Sequence, residues 1–292
     1  MVTALGLWLA GCSTTARDDL FVTTAVTVGD AGTTGAPDLT TSGHGSEGDD
    51  TGTTGGGTGG GGSSEGDDSE GLKLDVAPPV TDVAPMTGED CELLTATIRD
   101  FSHNHPDFET FTGTMAYTGL VLPALGGDGT PQLDPAYAGA PMITSAETFA
   151  QWYHDVPGTN FTFEIELALT DEGTGEMIFD SAAFFPINGF GFGNEGFPDN
   201  FHFTTEVNTS FTYQGGEVFT FRGDDDIWVF VDGQLALDLG GLHPPLQASI
   251  EMDTLGLVPG QTYDMDIFHA ERHTDQSNFR IVTTISCFEP PG

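Results

Sequence analysis

The chain has 292 residues, with 45 acidic against 6 basic side chains and a formal net charge of −39. Such a surface repels phosphate backbones and anionic lipid head groups, which excludes nucleic acid as a partner, and it favours divalent cations. The length allows one or two domains, and no GxSxG, P-loop or dinucleotide fingerprint occurs, so an enzyme is not expected.

Residues 1–12 end in LGLWLAGC. An apolar run closing on Leu9-Ala10-Gly11 before Cys12 has the logic of a cleaved leader, and it is too short to cross a bilayer. It resembles the lipobox of a bacterial lipoprotein, in which Cys12 becomes the lipid-modified N-terminus. Ser13 after it resembles lipoproteins sent to the outer membrane. The resemblance implies a protein lipid-anchored at the cell outer membrane, or an extracellular one. No Lys or Arg precedes the apolar run, which leaves the start codon open. Residues 13–90 are dominated by Gly, Thr, Ser, Asp and Glu, most extremely in TGTTGGGTGGGGSSEGDDSEG at 51–71. Too few apolar side chains are present to offset the entropy of ordering this stretch, so a disordered acidic linker is expected. As a Gly-rich coil it would span about 50 Å, and charge repulsion would extend it further.

Residues 91–292 are expected to fold as one mostly β domain. FTFEIELALT at 161–170, FHFTTEVNTSFTY at 201–213, VFTFRG at 218–223, IWVFVDG at 227–233 and FRIVTTISC at 279–287 are rich in β-branched and aromatic residues. Turn signals such as GTGE, QGGE, VDGQ and VPGQ separate the strands, a spacing that predicts an all-β sandwich or flattened barrel. A helical turn is predicted within 145–156, with Ser145 as N-cap. From Asp226 to Asp232, Ile227, Val229 and Val231 alternate with Trp228 and Phe230, so both faces are apolar and the strand is expected to be central. Cys91 and Cys287 stand at the two edges of the domain. In an oxidising compartment a bond between them would clasp its termini, worth about 4–5 kcal/mol on the chain-entropy model; two buried free thiols are the alternative.

Asp224, Asp225 and Asp226 run straight into the central strand, at the rim where loops present binding groups. Carboxylates this close repel one another unless a cation or a network of donors sits among them. Hard oxygens without thiolate or imidazole suit Ca²⁺. A solvated acidic turn, or an ion pair from Arg222 or Arg272 with no metal, is the competing reading. The loop AERHTDQSN at 270–278, expected to link two neighbouring C-terminal strands, adds Glu271, Asp275 and Asn278 as oxygen donors. His103 with His105, and His269 with His273, raise a zinc site, but HAERH is not HExxH and packing roles are favoured. Glu164, Glu166 and Asp180 are the kind of carboxylates that pair by chance in any acidic chain. Trp152 and Tyr153 could stack on sugar rings, although their segment reads as packing.

Several longer pieces carry a resemblance. They are IRDF at 98–101, HPDFE at 105–109, QWYHDVPGTN at 151–160 and FFPINGFGFGNE at 184–195. NFHFTTEV at 200–207, FTFRGDDDIWVFVDG at 219–233, LDLGGLH at 237–243 and IFHAERHTDQSNFRI at 267–281 follow in order. In these pieces the chain resembles the fibro-slime domain, a PA14-like family of secreted and cell-surface proteins, over nearly all of residues 95–287. The resemblance implies a PA14-like β-sandwich for the domain at 91–292. In lectin-like PA14 domains two adjacent aspartates joined by a cis peptide bind Ca²⁺, and the ion takes sugar hydroxyls. Asp224 and Asp225 match that pair. Asp226 stands where those members often have Gly and could add a ligand, with Asp275 and Asn278 as secondary ligands. The implied function is Ca²⁺-dependent binding of an extracellular glycan or polysaccharide by a surface adhesin. The alternative is a structural or signalling protein that engages another protein, with calcium only bracing loops.

Overall fold

The structure, a computed structural model, describes residues 90–137, 142–171 and 173–291. The lipobox at Cys12 and all but the last residue of the linker lie outside the described residues.

Among the described residues eleven strands form two antiparallel sheets. Six make the first sheet: β1 (Leu93–Phe101), β2 (Asn160–Ala168), β5 (Phe203–Thr212), β7 (Asp226–Val231), β8 (Gln234–Leu239) and β10 (Thr262–Glu271), in the order β2-β1-β5-β10-β7-β8. The second joins β3 (Thr170–Asp171), β4 (Met177–Ser181), β6 (Val218–Gly223), β9 (Leu246–Glu251) and β11 (Phe279–Thr283) in the order β3-β4-β11-β6-β9. Period-two alternation explains the layering. Ile98, Val207, Ile227, Val229 and Ile267 from the first sheet meet Phe219, Phe221, Phe279 and Ile281 from the second in a continuous core.

The first sheet is also covered on its outer face. Trp228, Phe230, Phe268 and Ala270 project there and pack against Phe108, Leu120, Phe149, Trp152 and Tyr153 from the long segment between β1 and β2. All six residues of β7 are therefore buried, the arrangement expected of a strand apolar on both sides. The same segment holds the one α-helix among the described residues, α1 (Ala146–Phe149), which starts at a capping box between Ser145 and Thr148. Trp152 and Tyr153 are in this second core, so they pack and do not face solvent. The β7–β8 hairpin turns at Asp232-Gly233, both with positive φ (51° and 68°), as a two-residue turn matching strand twist requires.

One expectation needs correction. The loop 270–278 does not join neighbouring strands of one sheet: β10 lies in the first sheet and β11 in the second, so the loop crosses the sandwich at its rim. No bounds are predicted from the sequence for the strands β1, β4, β8, β9 and β10. Their sequences, such as YDMDIF in β10, interleave carboxylates that propensity alone assigns to loops, and burial by neighbours decides otherwise.

Cys91 and Cys287 are disulfide-bonded across 196 residues, beside a backbone pairing of Glu289 with Ser210 on β5. Replacing both cysteines with serine is expected to lower stability by up to about 4–5 kcal/mol, the chain-entropy figure less any native-state strain, read as a fall in the guanidinium midpoint. An unchanged midpoint would mean that the Glu289–Ser210 pairing alone holds the ends.

Asp100, at the end of β1, anchors the loop 187–200. Its carboxylate accepts from the Phe192 amide (2.6 Å) and from Asn200 Nδ2 (2.7 Å). The backbone passes so close that a Cβ on Gly191, which has φ +60°, would lie 2.0 Å from Asp100 Oδ2. Burial raises the Asp100 pKa from 3.8 to about 7, against the lowering effect of these two bonds. Stability from the neutral form is full below the unfolded pKa of 3.8 and is lost as pH rises through about 7. Asp100→Asn should flatten the dependence of melting temperature on pH across that window. A profile as steep as the wild type's would remove Asp100 as its source.

Candidate functional site

Asp224-Asp225 is the corner at which the chain leaves β6 in the second sheet and enters β7 in the first. The peptide between the two residues is cis. The crossover from β10 to β11 runs beside this corner, so two connections between the sheets meet at one rim. Their approach is close enough that a Cβ on Gly223 would sit 2.6 Å from the Asn278 carbonyl oxygen.

The three aspartates fan apart. Asp224 Oδ1 accepts from the Asn278 amide (2.5 Å) and Oδ2 from Asn278 Nδ2 (3.1 Å). Asp225 Oδ1 accepts from the His243 amide (3.1 Å) and Oδ2 from the Arg272 amide (3.3 Å). Asp226 turns inward, its Oδ1 taking the Gly241 amide (2.6 Å) and its Oδ2 the Arg272 Nε (2.6 Å). Arg272 and Asp226 form an ion pair with both side chains 0 % exposed. Arg272 also donates from Nη1 to the carbonyls of Asp107 and Met142 and lies 4.8 Å over the Trp152 ring.

Asp226 is thus held by the Arg272 side chain and the Gly241 amide, and it is not among the walls of the rim pocket. Asp224 and Asp225, by contrast, line a rim pocket of about 350 Å³. Its other walls are Thr112–Thr114, Leu242–Pro244 and His273–Gln276. Asp275 stands exposed on the last of these walls, and Asn278 is buried behind Asp224. Arg222 sits on β6 opposite Gln247 and Arg280, within the second sheet.

The electrostatics of this corner are those of carboxyls short of positive charge. Burial pushes Asp225 up to about 8 against the pull of Arg272, with Asp226 and Asp224 adding repulsion. Burial likewise raises Asp224, and it raises Glu271 well above the usual carboxylate range, with Asp225 and Asp224 contributing there too. Glu271 Oε2 is buried with no hydrogen-bond partner. The donors are all oxygens, so the chemistry fits a hard divalent cation, which would favour the ionised form of each carboxyl. Among the described residues no three His, Cys, Asp or Glu side chains already stand at metal-ligand spacing. Amide, backbone or ligand oxygens would have to complete a shell around the two aspartates.

The histidine pairs divide. His105 Nε2 meets Gln151 Oε1, and His269 Nε2 lies 2.7 Å from the Asp224 carbonyl, with burial pushing the imidazole down to about 4. His103 and His273 turn instead toward Glu195 and Glu109. Glu164 and Glu166 stand exposed on edge strand β2, and Asp180 pairs with Arg280, so these three do not converge.

Two parts of the site were not singled out beforehand. The local signal for His243 is the Gly pair before it in LDLGGLH: a Cβ on Gly240 would lie 2.9 Å from the Trp228 ring, and Gly241 has φ +99°. Thr112–Thr114 carry no local signal, because the folding of the long segment over β7 brings them to the pocket.

Comparison with known proteins follows the same lines. Protein psiD of Dictyostelium discoideum is 41 % identical over 213 residues, which is 68 % of this chain and 42 % of psiD. Protein psiC of the same organism is 40 % identical over 215 residues, 67 % of this chain and 42 % of psiC. The chain thus spans about two fifths of the length of these relatives. A solved structure described as a PA14 sugar-binding domain from an RTX adhesin aligns over 69 % of this chain and 99 % of its own, with 8 % identity and a TM-score of 0.32. That likeness is too low to carry fold or ligand across. Residues 188–287, which run from the loop anchored by Asp100 through the aspartate corner to Cys287, match the PA14 domain family.

Proposed function

We propose that this chain is a non-catalytic binding protein of the cell surface, whose rim pocket holds Ca²⁺ at Asp224 and Asp225 and presents it to the hydroxyls of an extracellular glycan. The observation that supports this best is the pocket itself: two adjacent carboxylates facing a concave opening, inside the stretch that matches the PA14 domain. Asn278 fixes the Asp224 carboxylate, and the His243 and Arg272 amides fix that of Asp225, so the pair is held in place before anything binds. Asp275 and Asn278 Oδ1 are the further oxygen donors on this side, and Glu271 lies behind them. Calcium in such a site supplies a charge that vicinal hydroxyls can join as ligands. Attachment through a lipid on Cys12, with residues 13–90 as a spacer, belongs to the same proposal.

The test is a glycan array probed with the full chain in Ca²⁺ and in chelator. Binding to a defined glycan set that disappears in chelator is the expected result. Ca²⁺ binding without retention of any saccharide would favour a protein-engaging surface protein in which calcium braces loops. Hydrolysis of an arrayed polysaccharide would overturn the non-catalytic reading.

A further inference from the structure

We propose that His202, His273 and Glu109 form a second cation site, for a transition metal of the Zn²⁺ class, beside the rim pocket, of which His273 is also a wall. The fold gathers three imidazoles and two carboxylates from three separate loops, which no sequence spacing suggests. His202 is at the centre. Its side chain is 2 % exposed, and its Nε2 has no hydrogen-bond partner. It faces Glu109 Oε1 at 3.5 Å, and Glu109 Oε2 lies 3.7 Å from His273 Nε2.

Both separations exceed those of an N–H···O hydrogen bond. They are close to the distance of about 3.3 Å that two ligands keep when each is bound at 2.0–2.1 Å to one tetrahedral ion. The donors also differ in kind from the aspartate pair: imidazole nitrogen selects Zn²⁺, Cu²⁺ or Ni²⁺, whereas an all-oxygen set selects Ca²⁺. Supporting groups are in place. Glu109 Oε1 is oriented by the Thr274 amide (3.0 Å), and the His103 ring lies 6.2 Å from that of His202 with its Nδ1 3.1 Å from Glu195 Oε1. Glu109 and Glu195 are two of the three non-glycine residues with positive φ among the described residues, at 58° and 47°.

Since no three donors yet stand at coordination spacing, the ion would draw them together. His273, 34 % exposed on the loop between β10 and β11, is the most exposed of the three donors. Closure there would fix His273–Gln276, which also wall the pocket.

The experiment is equilibrium dialysis of the full chain against Zn²⁺ in a large excess of Ca²⁺, which occupies non-specific carboxylates, with Co²⁺ absorption as a second readout. One Zn²⁺ per chain is expected to persist in Ca²⁺, with at least about tenfold weaker binding in His273→Ala and in His202→Gln. Co²⁺ should give a visible ligand-field band in the wild type that both variants lose. No Zn²⁺ retained by the wild type in excess Ca²⁺ would overturn the proposal, as would undiminished binding in His273→Ala. His202 is buried, so if His202→Gln does not fold, His273→Ala decides alone.

Discussion

Arg272→Met is expected to destabilise the protein by about 3–5 kcal/mol, because it leaves the Asp226 carboxylate buried without its cation. The magnitude follows from what the guanidinium does. Besides the ion pair, its Nη1 bonds the carbonyls of Asp107 and Met142, and its plane covers the Trp152 ring. Asp107 in turn accepts from Trp152 Nε1 (3.1 Å) and from the Thr144 amide (2.7 Å), so one cation ties the long β1–β2 segment to the rim of the sandwich. Guanidinium unfolding followed by tryptophan fluorescence and far-UV circular dichroism measures the loss. A deficit under about 1 kcal/mol would place this pair with weak surface ion pairs and contradict its burial. The double variant Asp226→Leu/Arg272→Met should lose less than the two single variants combined, since no buried charge is left unpaired. The two orphaned carbonyls should keep it below the wild type.

Asp225→Asn should abolish saturable Ca²⁺ binding, which in the wild type is expected at a Kd of about 10⁻⁴ to 10⁻³ M, the range of extracellular modules. Asn is chosen because its carbonyl oxygen can still accept one of the two amides, from His243 or Arg272, that hold Asp225. Asp224→Asn should act similarly. Asn278→Ala should weaken binding less, because it removes one donor to Asp224 while the backbone amide of residue 278 remains. Calorimetric titration into chelator-stripped protein gives all three. Asp226→Asn is the contrast: it should lower stability through Arg272 while leaving Ca²⁺ affinity within about twofold, since Asp226 faces away from the pocket. Equal Ca²⁺ binding by the wild type and Asp225→Asn would remove the aspartate corner as the metal site. Loss of Ca²⁺ binding in Asp226→Asn alone would assign the ion to the wrong side of β7.

What the sequence determined by itself is local. Alternation of Ile227, Val229 and Val231 with Trp228 and Phe230 made β7 a central strand, and the Asp-Gly pair at 232–233 made its turn, because side-chain periodicity and positive φ are properties of neighbours in the chain. Ser145 placed the start of α1 for the same reason. The run of three aspartates marked a corner where charge needs a partner. Only the tertiary structure decided how those charges are shared: Asp226 to a buried arginine 46 residues away, Asp224 and Asp225 to a pocket walled by Thr112–Thr114, which no pattern near residue 224 announces. It also decided the histidines, separating His103 from His105 and His269 from His273 and setting His103 and His273 around His202 and Glu109. The physical reason is range. Propensity and periodicity act within a few residues, whereas the partner of a buried charge or imidazole is set by which sheets pack and where the crossovers between them run.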